Sequence, residues 1–467
     1  MFDAPLGGLP KATASPNSPG GGGGAAAAIA VIGSGIAGLS AAWLLSRRYR
    51  VTLFEAAPQL GGHSHTVEVE AGGRAMLVDA GFIVFNERAY PNLIRLFRHL
   101  GVATERSDMS FAVSIAHGQV EYAGARRLAG LFAQKRNLLR PRFWRMLADT
   151  LRFYREFRHR DARSLAGMTL GDLLAGRGYG RAFRDEHILP MAAAIWSGTF
   201  GSILDFPAAS FLAFCRNHGL LQVSRRPKWR TVSGRSRDYV RRLAAGISGP
   251  IEVNAPVAAL RRDAQGVEIV LSDGRRERFH HCIVAAHADA ALRMLADPSL
   301  EERRLLGSFA FQPNHGILHR DAALMPKRRA CWASWNYIAD WASESGSPVF
   351  VTYWLNRLQN LDRAAPLFLS LNASRRPRDE TVIAEFDYDH PQFDAAAIAA
   401  QVDLHRIQGV RNTWFCGAWT GYGFHEDGLR SGMAVASALG VEAPWSVPAG
   451  ERVEHPAPVL VPARSPA

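Results

Sequence analysis

The residues Ala28–Ile32 form an unbroken apolar run, 36–47 repeats with helical period, and 50–54 is again apolar. The pattern predicts a buried strand, a helix and a second buried strand in quick succession. The stretch 86–230 reads as largely helical and rich in arginine and aromatics. Short runs at 251–260, 267–271 and 280–285 predict strands, with a turn at Ser272-Asp273-Gly274. Aromatic strand-like runs follow at 333–338, 349–355 and 367–371, and a last helix is expected over about 428–439. The flanks show no period. Residues 1–27 are Gly/Ala/Pro/Ser-rich and 444–467 are Pro-rich, so both are expected to be disordered or flexible. No internal repeat is present. A hydrophobic content of 48% over 467 residues excludes a wholly disordered chain.

The first strand–helix–strand unit carries chemistry. Val31-Ile-Gly33-Ser34-Gly35-Ile36-Ala37-Gly38 leaves a strand and opens a helix, and Glu55 ends the next strand about 20 residues on. In a dinucleotide site Gly33 permits the tight turn, Gly35 lets backbone amides approach a pyrophosphate, and Gly38 permits close helix–strand packing. The helix N-terminus faces the phosphates, and Glu55 accepts the ribose hydroxyls. The plainer alternative is a structural glycine turn with Glu55 merely solvated. Both strands, the helix and the acid stand in register, which favours the dinucleotide.

After Glu55 come Ala56, the doublet Gly61-Gly62 with His63, and a run ending Val78-Asp79-Ala-Gly81. Two later segments complete a pattern: Asn254-Ala-Pro-Val257 with Gly266-Val-Glu-Ile-Val-Leu and Cys282-Ile-Val-Ala-Ala286, then Trp414-Phe-Cys-Gly417-Ala-Trp-Thr420 with Asp427-Gly428-Leu429-Arg-Ser-Gly432. Together they resemble the FAD enzymes that include flavin amine oxidases, protoporphyrinogen oxidase and carotenoid (phytoene) desaturases. Within that superfamily the chain is most similar to a bacterial family of predicted FAD-binding proteins. The resemblance implies an α/β fold: a Rossmann-like FAD-binding domain of the GR2 type with an inserted substrate domain of mixed helices and antiparallel sheet. The FAD domain would comprise 28–85, 231–300 and 405–443, and the substrate domain 86–230 and 301–404. It further implies that Ser34, Ile36, Ala37, Ala56, Gly61, Gly62 and His63 line the cofactor beside the fingerprint glycines. Val257 would meet the adenine through its backbone. Gly417, Asp427, Gly428 and Leu429 would form the flavin end, with a helix starting near Gly428 aiming its amides at the flavin pyrimidine. Two positions depart from the family pattern: His63 stands where it usually carries arginine, and Ala418 where it often carries an acid.

A flavin carries the redox chemistry, so the protein chiefly positions a C–H bond, and no nucleophile triad or metal site is expected. Amine oxidases of this family commonly use an active-site lysine. The chain has only Lys11, Lys135, Lys228 and Lys327, and neither Lys228 nor Lys327 stands in such a context. His63 and His425 are the candidate catalytic residues, as proton relays that titrate near neutrality; His65 is the alternate neighbour of His63. The plainer alternative for each is a hydrogen-bonded packing histidine. Trp332, Trp335, Tyr337, Tyr353 and Trp354 line a substrate cavity or else fill a core.

Charge alters this picture in one place. The 55 Lys and Arg against 42 Asp and Glu leave +13, and residues 126–163 hold twelve basic residues against three acidic, or +9 of it. Pro141 suits the first turn of a helix there. Trp144, Leu147, Leu151 and Tyr154, joined by Phe143, fall on one face, with Arg142, Arg145 and Arg152 opposite. Such a helix either lies at an anionic membrane surface or packs its apolar face inward with the arginines solvated. Nucleic acid is not an expected partner, since no binding module accompanies the charge. Four scattered cysteines without a CxxC pair suit a reducing compartment, and glycines interrupt the apolar stretch before residue 46. The expected location is therefore cytoplasmic, with peripheral contact on the inner membrane face. The reading is an FAD-dependent oxidoreductase that desaturates or oxidises a hydrophobic substrate, a lipid acyl chain or modified fatty acid. The alternatives are a peroxide-producing amine oxidase and a lipid-binding escort protein of the same fold without turnover.

Overall fold

The computed structural model describes residues 27–453 apart from 72, 125–127, 340–348 and 452. Residues 1–26 and 454–467, most of the two flanks expected to lack order, lie outside the described residues, as do Arg126 and Arg127 of the basic segment.

The continuous apolar runs build a five-stranded parallel sheet in the order Ile251–Glu252, Arg50–Phe54, Ala28–Ile32, His281–Val284, Thr413–Phe415. Strands buried on both faces need no alternation of polar and apolar residues, which explains the uniform Ile29, Val31, Val51 and Ile283. Helix α1 (Ile36–Leu45) is buried along its whole length, because the sheet covers one side and the C-terminal helix the other. The strand expected over 251–260 is two strands. Asn254 at φ 53° turns the chain between Ile251–Glu252, which joins the parallel sheet, and Val257–Asp263, which starts an antiparallel three-stranded sheet with Gly266–Leu271 and Arg276–Phe279.

A seven-stranded sheet forms the second half, in the order Val382–Gln392, Ala310–His319, Phe368–Leu371, Phe350–Trp354, Trp335–Ala339, Phe111–Ile115, Val120–Gly124. All its pairings are antiparallel except Trp335–Ala339 with Phe111–Ile115. The expectation that 86–230 is largely helical therefore fails at 104–124, where β-branched and aromatic residues pair as strands. Helix α2 (Pro91–Leu100) also departs from the expected division. Its Leu93, Leu96 and Phe97 pack with Tyr239, Val240 and Leu429 in the core of the parallel-sheet half.

Helix α3 (Pro141–Phe157) begins at Pro141 as expected, and of the expected apolar face Phe143 and Tyr154 are buried and Leu147 half-buried, but the face as a whole is turned. Phe143, Met146, Thr150, Phe153 and Phe157 point inward, while Trp144 and Leu151 stand exposed. Met146, Thr150 and Phe153 each precede a residue of the expected row by one position, as Phe143 precedes Trp144. Three phenylalanines outweigh Trp144 and Leu151 in the competition for the core.

The last helix, α4 (His425–Ala438), starts three residues before the expected Gly428. Part of the expected flexible tail is packed: the Trp445 indole stacks on Trp43 at 6.3 Å, and Glu451 pairs with Arg95 at 2.8 Å. Packing an aromatic ring against Trp43 near the C-terminal end of α1 holds the chain there. All four cysteines are buried free thiols. Among the described residues no helix is long and apolar enough to cross a membrane.

Candidate functional site

One cavity of about 810 Å³ opens where the parallel sheet meets the seven-stranded sheet. It lies at the carboxyl ends of Ala28–Ile32 and His281–Val284, where α/β sheets hold ligands. Its volume falls in the upper part of the roughly 300–1,000 Å³ typical of cofactor and ligand sites.

The nucleotide end is made almost wholly of backbone. Gly33 adopts φ +95°, and a Cβ there would sit 2.7 Å from the Ala285 carbonyl oxygen. A Cβ on Gly38 would come within 1.9 Å of the Gly33 carbonyl oxygen, so that glycine closes the helix onto its own entry turn. Gly35 is different: a Cβ there meets nothing within 4 Å and would project into open space. Helix α1 starts at this residue with no side-chain cap and no acid in its first turn, leaving its N-terminal amides to an anion. The doublet uses positive φ, +121° at Gly61 and +55° at Gly62, and a Gly62 Cβ would touch the Gly35 Cα at 3.2 Å. The two glycine turns thus form one cradle.

Ser34 and Glu55 brace it. The Glu55 carboxylate accepts from Ser34 N at 2.8 Å, from the Ser34 hydroxyl, and from Ala57 N at 2.8 Å. The Ser34 hydroxyl accepts from Gly61 N at 3.0 Å. Both line the cavity, and Ser34, fully buried, is also the strut between fingerprint and doublet. Ile36, Ala37, Ala56 and Val257 line the cavity too, as do Gly417 and Ala418.

Four expected site residues do not reach it. Gly38 is the packing contact described above. Asp427 accepts from Phe424 N at 3.0 Å and closes the start of α4. Gly428 N donates to Phe424 O at 3.1 Å, and a Cβ there would press on Ile36 at 2.8 Å. Leu429 is buried in the core. Because α4 starts at His425, the amide of Gly428 is already committed within the helix, and Phe424 and His425 face the cavity instead.

His63 lines the cavity with its Nε2 buried and without a hydrogen-bond partner. Its ring lies 5.3 Å from Tyr388 and 5.4 Å from His390. Burial, with the neighbouring imidazole of His390, holds it well below the usual histidine pKa, so it is neutral at physiological pH. His425 is neutral as well, pushed down to about 3 by burial. Its Nε2 is shared between Ser64 Oγ at 3.1 Å and Tyr239 Oη at 3.0 Å, and its ring stacks on Phe82 at 3.6 Å. This is a fixed packing histidine. His65, off the cavity, bonds the Tyr388 hydroxyl through Nδ1 at 3.0 Å.

The far end is built from bulky side chains. Trp335 and Tyr353 line it with Leu369, Leu371, Phe214 and Trp196. Trp332 and Trp354 pack on each other at 5.4 Å away from the cavity, and Tyr337 is core. Sequence reasoning missed Tyr388 and His390. Their signal is an alternation, Phe386-Asp-Tyr388-Asp-His390, on a strand that sets its aromatic side toward His63 and His65. Gly81, read from sequence only as the end of a run, has a structural reason to be glycine: a Cβ there would collide with the His63 carbonyl oxygen at 2.1 Å.

These residues fit FAD. The glycine cradle leaves room beside Gly35, amides face that room, and the Glu55 carboxylate and Val257 lie in the wall, where they would meet a ribose and an adenine. Comparison with known proteins agrees. The family described as flavin containing amine oxidoreductase matches residues 36–315. The carotenoid phi-ring synthase of Chlorobaculum tepidum is 39% identical over 97 residues, which is 20% of this chain and 15% of that protein. Among solved structures, the CLA-producing fatty acid isomerase from P. acnes shares 16% identity with a TM-score of 0.63, over 89% of this chain and 99% of that one. Cyclohexylamine oxidase from Brevibacterium oxydans IH-35A gives 16% and 0.63, over 89% and 98%. Since the family match covers well over half of the chain, the protein belongs to the flavin-containing amine oxidoreductases and is an FAD-dependent oxidoreductase.

Proposed function

We propose that the protein desaturates or oxidises a hydrophobic substrate, a fatty acyl chain or modified fatty acid such as a methyl-branched or furan-forming one. The names of its relatives run from a fatty acid isomerase and a carotenoid synthase to amine oxidases, so they bracket the substrate without choosing it. The far wall of the cavity supports the choice. Phe214, Leu220, Trp335, Tyr353, Leu369 and Leu371 line it, and none of the described lysines, Lys135, Lys228 and Lys327, reaches the cavity. Apart from Glu55 at the ribose position, the cavity's formally charged side chains are Arg293 and Asp389, both exposed.

FAD, when bound, supplies the hydride-accepting centre. The chain's own residues do the rest. The aromatic and leucine side chains hold an apolar chain and exclude water. His63 lines the cavity unprotonated, with its buried Nε2 taken by no other group, and is the side chain left to take up a proton at that atom. Helix α4 fixes His425 as a neutral, positioning side chain. A substrate of this kind resides in a bilayer, and the proposal includes peripheral association with the inner face of the membrane.

Anaerobic mixing of the flavin-loaded protein with native lipid extracts tests the reading. Bleaching of the flavin band, with a new double bond or oxidised acyl product by mass spectrometry, is expected. Unchanged lipids, together with bleaching of the flavin by an amine and release of hydrogen peroxide once dioxygen is admitted to reoxidise it, would replace it with an amine oxidase.

A further inference from the structure

Helix α3 has more apolar surface than the fold covers. Among the described residues nine large apolar side chains stand exposed, and four of them fall within fourteen positions: Leu138 (48%), Leu139 (88%), Trp144 (49%) and Leu151 (57%). The Trp144 indole donates to Leu138 O at 2.9 Å and lies 5.5 Å from the Phe132 ring, tying the turn Lys135–Leu139 to the helix. On the helix, Trp144, Ala148, Leu151 and Arg155 follow 4-3-4 spacing along the outward face, all exposed.

The charges around this stripe are of two kinds. Arg142 is paired with Glu186 at 2.6 Å, and Arg152 lies near Asp149 at 3.7 Å and over the Tyr179 ring at 4.0 Å. Those two serve the fold. Arg145, Arg155 and Arg158 are exposed and make no ion pair among the described residues, and Lys135 is the same at the turn. An apolar stripe with a tryptophan, flanked by unpaired cations, is the chemistry of a helix lying in the headgroup region of an anionic bilayer.

We infer that the turn Lys135–Leu139 and helix α3 are a docking face for an anionic phospholipid surface. Leu139 and Trp144 enter the headgroup–acyl boundary, and Arg145, Arg155 and Arg158 meet lipid phosphates. Charge complementarity selects this occupant. A second copy seated symmetrically on the same face would set its arginines against these, a repulsive arrangement. The inward side of α3 packs into the cluster that supplies Trp196 and Phe214 to the cavity, so docking would bring the bilayer to the side of the molecule that carries the substrate wall. The inference does not depend on the acyl-chain reading, because docking is measured without turnover.

The test is co-sedimentation of the full-length, flavin-loaded protein with vesicles of phosphatidylcholine alone, or of three parts phosphatidylcholine to one part phosphatidylglycerol. The wild type is expected to sediment with the anionic vesicles and to stay in solution with the neutral ones. Each basic side chain near an anionic surface is worth roughly fivefold in partitioning. Replacing Arg145, Arg155 and Arg158 together by glutamine should therefore lower it about a hundredfold, with flavin absorbance unchanged. Leu139→Ser, at a position too exposed to disturb the core, should lower it several-fold alone. A wild type that ignores anionic vesicles overturns the inference. So does equal binding by the triple variant, or a sedimentation-velocity dimer that Leu139→Ser converts to monomer.

Discussion

The two ends of the cavity are made by opposite means. At the nucleotide end, Gly33, Gly35, Gly61 and Gly62 remove side chains so that backbone approaches a ligand, and one serine and one glutamate lock the turns together. At the far end, Trp335, Tyr353, Leu369 and Tyr388 fill space with large rings and branched chains from four strands of one sheet. Backbone recognition tolerates almost no added atom. A wall of apolar side chains tolerates substitution at a graded cost. Mutations at the first end should therefore act all or none on cofactor, and mutations at the second should act by degrees on substrate.

The largest effect separates two glycines that a fingerprint treats alike. Gly35→Asp places a carboxylate beside Gly35, where a pyrophosphate would lie, from a Cβ that meets no protein atom within 4 Å. The variant should fold, melt near the apoprotein temperature and purify colourless, having lost at least a hundredfold in FAD affinity. Gly38→Val should instead fail to fold, since its Cβ would sit 1.9 Å from a carbonyl oxygen. A yellow Gly35→Asp protein would show that the cradle does not hold the pyrophosphate.

At the far end, Trp335→Ala and Tyr353→Ala should each lower kcat/KM for an apolar substrate about ten- to a hundredfold, chiefly through KM, while the flavin spectrum stays that of wild type. Equal loss of flavin from these variants would mean that the two ends are not separate. A smaller effect concerns protons. His63 and His425 are kept neutral by burial, and His390 is pushed down to about 4 in the same way. The pH profile of kcat/KM should then carry no histidine inflection between about pH 6 and 8. An inflection there that disappears in His63→Gln would show that ligand binding restores an ordinary imidazole.

The same contrast explains what could be read from sequence. Gly33, Gly35, Glu55, Gly61 and Gly62 were legible because each is required by residue type at a fixed distance along one continuous stretch. Tyr388 and His390 were not, because they meet His63 only through the pairing of Val382–Gln392 with Ala310–His319. Helix α3 misled at Trp144 and Leu151, because it carries two apolar rows one residue apart and only packing against the rest of the fold decides how much of each is buried. Helix α4 misled because its start has no Ser, Thr, Asn or Asp at the N-cap. Phe424 stands there, and Asp427 supplies the capping oxygen from within the first turn.

The smallest effect is on stability, and it lies at neither end but on the helix between them. Glu426, one residue past His425, is buried away from the cavity, where its carboxylate accepts from Asn92 N and Asn92 Nδ2 at 2.9 and 2.7 Å and from Leu93 N at 3.0 Å. Burial pushes its pKa up to about 7, against the pull of those donors. In the unfolded chain the same group titrates near the ordinary glutamate value of about 4.3. A folded pKa above the unfolded one means that the native state holds the proton more tightly. Its stabilisation is complete below about pH 4 and is lost as pH rises through about 7. Glu426→Gln cannot titrate, so the variant's melting temperature minus that of wild type should climb by a few degrees from about pH 4.5 to 7 and then level off. Working with the difference cancels the opposing contribution of the buried histidines, which is common to both proteins. A difference that falls or stays flat over that range would mean that the donors at the start of α2 keep Glu426 ionised, and that it serves there as an anionic cap rather than a buried acid.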